Sequence, residues 1–200
     1  MQSKDSFYRI LQPIYPLLAQ QLVDDYGLDK GICIDLGSGP GHVGIEIAKI
    51  TYMDIYFVDD NEEQLRKAEK RFEGADCDNL AKYIKSDAHN LVFEDNFADF
   101  IVSRGSLWFW KDPHEVLDEV YRVLKPGGKA FIGGGLGKYI PSTMRQRILE
   151  DNKRDYSKKG VSRPTFEEFR KAISKEMLDK TNLPGYRIID EEFETGRWIE

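Results

Sequence analysis

The sequence holds only two cysteines, Cys33 and Cys77, which lie far apart and outside any CxxC or Cys/His cluster. That excludes a disulfide framework and a thiolate zinc site, and it points to a reducing, cytoplasmic setting. Cys33 falls in a strand-like run and is expected in the core. No apolar run reaches membrane-spanning length. The stretch "FYRILQPIYPLLAQQLV" is short, is broken by Pro13 and Pro16, and lacks a small-residue cleavage pattern. It reads as an amphipathic helical segment within residues 1–27, neither signal peptide nor membrane span. Internal repeats and low-complexity tracts are missing. So is an excess of positive charge: the net charge is -6. What remains is 200 residues, 40% hydrophobic and 12% aromatic. That composition suits one domain, residues 1–200, with a substantial core, and is too aromatic for a disordered chain.

Short apolar runs rich in β-branched and aromatic residues recur along the chain: "ICIDL" (32–36), "DIYFV" (54–58), "AKYI" (81–84), "ADFIV" (98–102) and "KAFIG" (129–133). Each has the character of a buried strand. Helical patterns separate most of them. One opens at Asp60 with Glu63 three residues on; another opens at Asp112, followed by Pro113, with Val116, Leu117, Val120 and Leu124 on one face, and stops at "KPGG". Such alternation predicts a parallel sheet covered on both faces. Beyond residue 138 the rhythm breaks. A polar insertion precedes a helix opened by Thr165 and Glu168, with Phe166, Phe169, Ile173 and Met177 on its inner face. Two runs, "YRIIDEEF" and "GRWIE", then meet across Glu194 and Thr195, a link short enough to force an antiparallel hairpin. The expected fold is α/β and Rossmann-like: seven strands, mostly parallel, the last antiparallel, with helices on both faces.

The stretch "DLGSGPGHVG" follows the first of these strands. In open parallel sheets, ligands bind beyond the carboxyl ends of the strands, where a glycine-rich turn lets them touch backbone at a helix N-terminus. Gly37, Gly39 and Gly41 make that turn, and Asp59, at the end of the second strand, stands where a carboxylate accepts both ribose hydroxyls. A nucleoside ligand is implied. Gly39, Gly41 and Gly44 also satisfy GxGxxG, so a nicotinamide oxidoreductase is one reading. Asp35 argues against it, because a carboxylate there would repel a dinucleotide's phosphates and welcome an ammonium group. Gly44 fits helix packing, and Asp60 fits a helix cap better than a second ribose contact.

"IDLGSGPG" resembles the first motif of class I S-adenosylmethionine-dependent methyltransferases, and "YFVDDNEEQL" resembles their second-strand motif. "KSDAHNLVFEDNFADFIVSRGSLWFWKDPHEVLDEVYRVLKPGGKAFIGG" resembles the rest of their core. The likeness covers residues 32–135 and is nearest to the small-molecule branch that includes ubiquinone and menaquinone biosynthesis methyltransferases. It implies S-adenosylmethionine as cofactor. It also implies that Asp35, Gly37, Ser38, Gly39 and Gly41 border the methionine part, that Asp59 and the adjoining Asp60 sit at the ribose, and that Asp87 with Ala88 contacts adenine. Ser103 and Arg104 would lie under the reactive methyl.

A sulfonium methyl is already electrophilic, so alignment matters more than acid-base machinery. His42, His89 and His114 are the candidate bases, each equally suited to a structural task, and no catalytic residue or metal site is assigned. Of "LWFW" (107–110), Trp108 and Phe109 suit packing, and Trp110 could cover the sulfonium. "SRGS" after the fourth strand differs from the Asn-Pro-Pro-Tyr type of motif of many nucleic-acid and protein amide methyltransferases, and no cysteine stands there for covalent catalysis.

Residues 138–163 carry eight basic and three acidic side chains, a net of +5 that leaves -11 on the rest of the chain. A helical lid over about 136–164 is expected, entered through the flexible glycines of "GGGLG" (133–137), with Arg145 and Arg147 facing a small, anionic acceptor. A positive segment so confined does not suit long polyanions, so nucleic acid is not an expected partner. Two other functions compete with small-molecule methyl transfer: a nicotinamide oxidoreductase, and an S-adenosylmethionine-binding protein without turnover.

Overall fold

The computed structural model describes residues 10–159, 166–181, 183, 185–191 and 196–200. Strand β1 (Lys30–Leu36) runs through the middle of the sheet, parallel to β2 (Tyr52–Asp59) on one side and to β4 (Ala98–Arg104) on the other. Its inner residues Cys33, Ile34 and Leu36 are buried, which explains the unbroken apolar run. Strand β3 (Ala81–Lys85) lies beside β2, and β5 (Leu124–Gly134) beside β4, both in parallel. The far edge is a hairpin of β6 (Ile188–Asp190) and β7 (Arg197–Ile199). The order is β3-β2-β1-β4-β5-β7-β6, with β7 antiparallel to both its neighbours. Within the hairpin the Glu191 N–H donates to the Gly196 carbonyl at 2.9 Å; the link at Glu194 and Thr195 lies outside the described residues.

Helices α1 (Ile14–Tyr26), α2 (His42–Ala48) and α3 (Glu62–Glu73) cover one face, joining Ile14, Leu18, Leu22, Ile47 and Ala68 to Phe57 and Phe100 of the sheet. Gly27 ends α1 with a left-handed φ of 64° and an N–H donated to the Val23 carbonyl at 2.8 Å. The insertion helix α5 (Ser142–Lys159) joins this face through Ile148. On the other face α4 (Pro113–Val123) buries Val116, Leu117, Val120 and Val123, next to Met177 and Leu178 of α7 (Lys175–Leu178). Among the described residues no helix is long and apolar enough to cross a membrane.

Three local expectations change. The cap of α3 is Asn61, not Asp60: the Asn61 side chain accepts the Glu63 N–H at 2.9 Å, while its own N–H is held by Asp59. "KPGG" does not lie between a helix and a strand. Leu124 already pairs with Ala98, and the segment runs inside β5 with a register shift at Ala98/Phe100. The C-terminal helix is two pieces, α6 (Phe166–Ala172) and α7, because Ser174 is extended and its hydroxyl accepts the Met177 N–H at 3.1 Å. Ile173 and Met177 are buried as expected, whereas Thr165 and the side chains of Phe166 and Phe169 lie outside the described residues.

Candidate active site

The glycine turn joins the end of β1 to α2. Gly37, Gly39 and Gly41 all have positive φ, at 65°, 53° and 76°. Two of them are also required by packing. A side chain on Gly37 would overlap the Ser106 Cβ, and one on Gly41 would stand 2.9 Å from the Ala68 Cβ and 3.1 Å from Phe57. Within the turn the Gly41 N–H donates to the Ser38 carbonyl and the Ser38 N–H to Val58, each at 3.0 Å. The glycines therefore answer first to the protein's own close approaches, and the resulting turn presents backbone at the carboxyl ends of β1 and β2.

Two carboxylates frame it. Asp35 is buried, and its Oδ2 accepts the Gly44 N–H at 2.9 Å. Burial pushes its pKa up to about 7, with the charge of Asp59 acting in the same direction. A Cβ on Gly44 would meet Phe57 at 2.6 Å, so Gly44 serves helix packing. Asp59 bridges two segments: Oδ2 accepts the Gly39 N–H at 2.8 Å and Oδ1 the Asn61 N–H at 2.9 Å. Its pKa is raised, chiefly by burial. Asp60 stands beside it, exposed.

At the end of β3, Asp87 is exposed and accepts both the backbone N–H of His89, at 2.9 Å, and its Nδ1, at 2.6 Å, which holds it below the usual carboxylate range. The other ring nitrogen of His89 accepts the Asp112 N–H at 3.2 Å, and Ala88 packs on the α4 side of the core. In the first turn of α4, His114 pairs through Nδ1 with the carboxylate of the capping Asp112 at 2.7 Å. Trp108 and Trp110 also pack against the core on the α4 face, while Phe109 is 85% exposed.

At the end of β4, Ser103 is fully buried and donates to the Leu36 carbonyl at 2.7 Å, with its oxygen against that of Ser106. Arg104 turns towards α1. Its Nε and Nη2 donate to the Gly135 carbonyl at 3.1 and 2.7 Å, and its guanidinium carbon stands 5.3 Å from the centre of the Tyr15 ring. Tyr15 in turn stacks on His42, with centroids 4.6 Å apart and planes within 6°. Burial first, then the charges of Arg71 and Arg104, lowers the His42 pKa to about 4, leaving a neutral imidazole at neutral pH. Burial raises that of Tyr15. The sequence reading did not single out Tyr15, although its place beside Ile14 and Leu18 on the apolar face of α1 was a signal for burial. Ser106 carried no such signal.

The insertion is corrected in two respects. Arg145 does not face an acceptor: it is buried, donates to the Gly137 carbonyl at 3.0 Å and pairs with Glu191 at 3.5 Å. Arg147 pairs with Asp151 at 4.0 Å, Arg154 with Glu150 at 3.4 Å, and Lys138 with Asp25. The side chains of Lys153, Lys158, Lys159 and Arg163 lie outside the described residues. Nor is "GGGLG" a loose entrance. Side chains on Gly133 and Gly135 would overlap the Arg197 carbonyl and the Glu191 carboxylate, and Glu191 accepts the N–H groups of Leu136 and Gly137 at 2.9 and 2.6 Å. Glu191 went unnoticed in the sequence because its partners lie in distant segments. Among the described residues no group of three or more His, Cys, Asp or Glu could hold a metal ion.

A mostly parallel sheet of this order, with a glycine turn after β1 and a carboxylate at the end of β2, defines a nucleoside-binding Rossmann-like domain. Comparison with known proteins agrees. Residues 34–132 match the family model of a methyltransferase domain. A solved protein from Methanococcus maripaludis, described provisionally as an S-adenosyl-L-methionine-dependent methyltransferase, is 34% identical with a TM-score of 0.83, over 99% of this chain and 89% of that one. The chloroplastic 2-methyl-6-phytyl-1,4-hydroquinone methyltransferase of Arabidopsis thaliana is 34% identical over 119 residues, 59% of this chain and 33% of that protein. The ubiquinone/menaquinone biosynthesis C-methyltransferase of Blochmanniella floridana is 30% identical over 141 residues, 69% of this chain and 54% of that protein. The chain thus spans a third to just over half the length of these curated relatives. It belongs to the family of S-adenosylmethionine-dependent methyltransferases.

Proposed function

We propose that this chain transfers the methyl group of S-adenosylmethionine to a small-molecule acceptor by direct displacement. The observation that carries the reading is the Asp59 carboxylate, fixed by one amide hydrogen on each oxygen. A carboxylate offers about four lone-pair positions, so roughly two remain for the hydroxyls of a ribose. The residues therefore fit the nucleoside half of the cofactor. Gly37, Ser38, Gly39 and Gly41 would border its methionine end, with Asp35 drawing the ammonium group. Asp60 would flank the ribose, Asp87 and Ala88 the adenine, and Ser103 and Arg104 the place of transfer.

When bound, the cofactor supplies an electrophilic sulfonium methyl; the chain's own task is to hold it in line and keep water away. His42 stays neutral and a weak base, and both ring nitrogens of His89 are engaged, by Asp87 and by the Asp112 amide, which supports a reaction with little help from either. The names of the plant and Blochmanniella relatives refer to hydroquinone and to ubiquinone and menaquinone biosynthesis, which favours a small molecule over a polymer as acceptor. A reducing, cytoplasmic setting accords with two free cysteines.

Thermal shift and calorimetry with S-adenosylmethionine, S-adenosylhomocysteine and NAD test the cofactor. Stabilisation by the first two and not by NAD is expected, and stabilisation by NAD alone would replace this reading with an oxidoreductase. A screen of acceptors, followed by release of S-adenosylhomocysteine, tests turnover; binding without any turnover would leave a cofactor-binding protein.

A further inference from the structure

Most arginines among the described residues have a carboxylate partner: Arg66, Arg122, Arg145, Arg147, Arg154, Arg187 and Arg197 each pair with at least one. Arg71 and Arg170 have no carboxylate of the described residues within ion-pair distance, but both are exposed. Arg104 is different. It is half-buried, and no carboxylate of the described residues stands within ion-pair distance of it. Its partners are a neutral carbonyl, Gly135, and the face of a neutral phenol, Tyr15. These fix the direction of the guanidinium without neutralising it. A partly desolvated charge left in this way calls for a counter-charge from outside the chain.

The shape of the group agrees. Nε and Nη2 share the Gly135 carbonyl along one edge, which leaves the edge between Nη1 and Nη2 for a planar, bidentate anion. The carboxylates nearby are already engaged, and Glu191, which lies against Gly135, is paired with Arg145. Arg71 of α3 acts on the same Tyr15 and His42, His42 is neutral, and Asp35 of β1 is engaged by Gly44 and half-protonated near neutrality. The insertion cannot take over this task with Arg145, which is neutralised by Glu191.

We propose that Arg104 is the anchor for an anionic group, a carboxylate or a phosphoryl, on the methyl acceptor. The inference rests on the methyltransferase reading above and names the acceptor's chemical class. Arg104 lies where the ends of β4 and β5 meet α1, on the Tyr15 side of the turn, whereas Asp59 and Asp87 mark the other side at β2 and β3.

The test uses the whole chain saturated with S-adenosylhomocysteine, titrated with benzoate and, separately, with phenyl phosphate. Saturable binding of at least one is expected, and the stronger of the two identifies the group. Arg104→Gln should weaken it by about tenfold or more while S-adenosylhomocysteine affinity changes less than about threefold. Equal anion binding by wild type and variant, or none by wild type, overturns the proposal. A parallel loss of S-adenosylhomocysteine affinity in Arg104→Gln also overturns it, and assigns Arg104 to the cofactor's own carboxylate. Failure of the wild type to bind S-adenosylhomocysteine at all would be recorded before any anion is added, and would strike the methyltransferase reading itself.

Discussion

Asp59 and Gly39 are joined by a 2.8 Å hydrogen bond from the Gly39 amide to Oδ2 of the carboxylate, which ties the end of β2 to the turn that follows β1. The same carboxylate holds Asn61 through Oδ1, and Asn61 caps α3. One side chain thereby sets the shape of the glycine turn, the start of a helix and the negative charge offered to a ligand. Any substitution at Asp59 touches all three, so its effects must be separated by choice of variant.

Asp59→Asn keeps an oxygen for the Gly39 amide and removes the charge; Asp59→Ala removes both. Each charge-assisted bond to a ribose hydroxyl contributes roughly 1.5–3 kcal/mol. Calorimetry should therefore find S-adenosylhomocysteine binding weakened about tenfold or more in Asp59→Asn, and further in Asp59→Ala, with Asp59→Asn still folded. Unchanged affinity in both would remove Asp59 from the site.

Gly37 faces Ser106 so closely that any side chain on it overlaps the serine Cβ. With its φ of 65°, Gly37→Ala should destabilise the fold by about 2–5 kcal/mol, part from overpacking and part from left-handed backbone. The steric share alone should vanish in a Ser106→Gly background. A double-mutant cycle read by denaturant unfolding should give a coupling of about 1 kcal/mol or more. Strict additivity would mean that the two residues do not meet.

Asp35 gives a pH signature. Burial lifts its pKa from 3.8 to about 7, against the Gly44 amide, which favours the ionised form. The folded chain thus holds a proton that the unfolded chain releases. The stability this contributes is complete below about pH 4 and is lost as pH rises through about 7. Asp35→Asn can still accept the Gly44 amide hydrogen and cannot ionise. Its Tm should gain on the wild type between about pH 5 and pH 8. His42, lowered to about 4 mainly by burial, has the opposite slope and is common to both proteins. A constant difference in Tm across that range would show that Asp35 is ionised throughout.

The strands and the glycine turn were legible because their causes are local. Ile32, Ile34 and Leu36 alternate with Cys33 and Asp35 in one run because a central parallel strand is buried on both faces, and the turn's glycines stand within five positions. What escaped depends on contacts between distant segments. Ser106 is chosen by its approach to Gly37, Tyr15 by the stack on His42, and nothing near either residue in the chain announces the partner. Arg145, expected to face an acceptor, is buried for the same reason: it lies in a polar, basic stretch, and only the return of the chain at Glu191 covers it. The end of α4 at Val123 in place of Leu124 reflects β5 beginning to pair before the "KPGG" segment has turned.

Glu191 supplies the sharpest structural test. Its carboxylate is 5% exposed and accepts the amides of Leu136 and Gly137 at 2.9 and 2.6 Å and the Trp198 indole N–H at 2.8 Å, with the Arg145 guanidinium 3.5 Å away. It therefore locks the end of β5 and the root of α5 to the hairpin. Glu191→Ala would strip four donors of their acceptor and leave Arg145 buried without its counter-charge, a loss expected near 3–5 kcal/mol. Glu191→Gln retains an oxygen for the amides but forfeits the charge, and should fall between the two. Removing the guanidinium as well, in Glu191→Gln with Arg145→Met, should restore part of the stability, since a buried pair replaced by apolar volume is often neutral. If Glu191→Ala melts within about 1 °C of the wild type, the carboxylate is not the tie between hairpin and insertion.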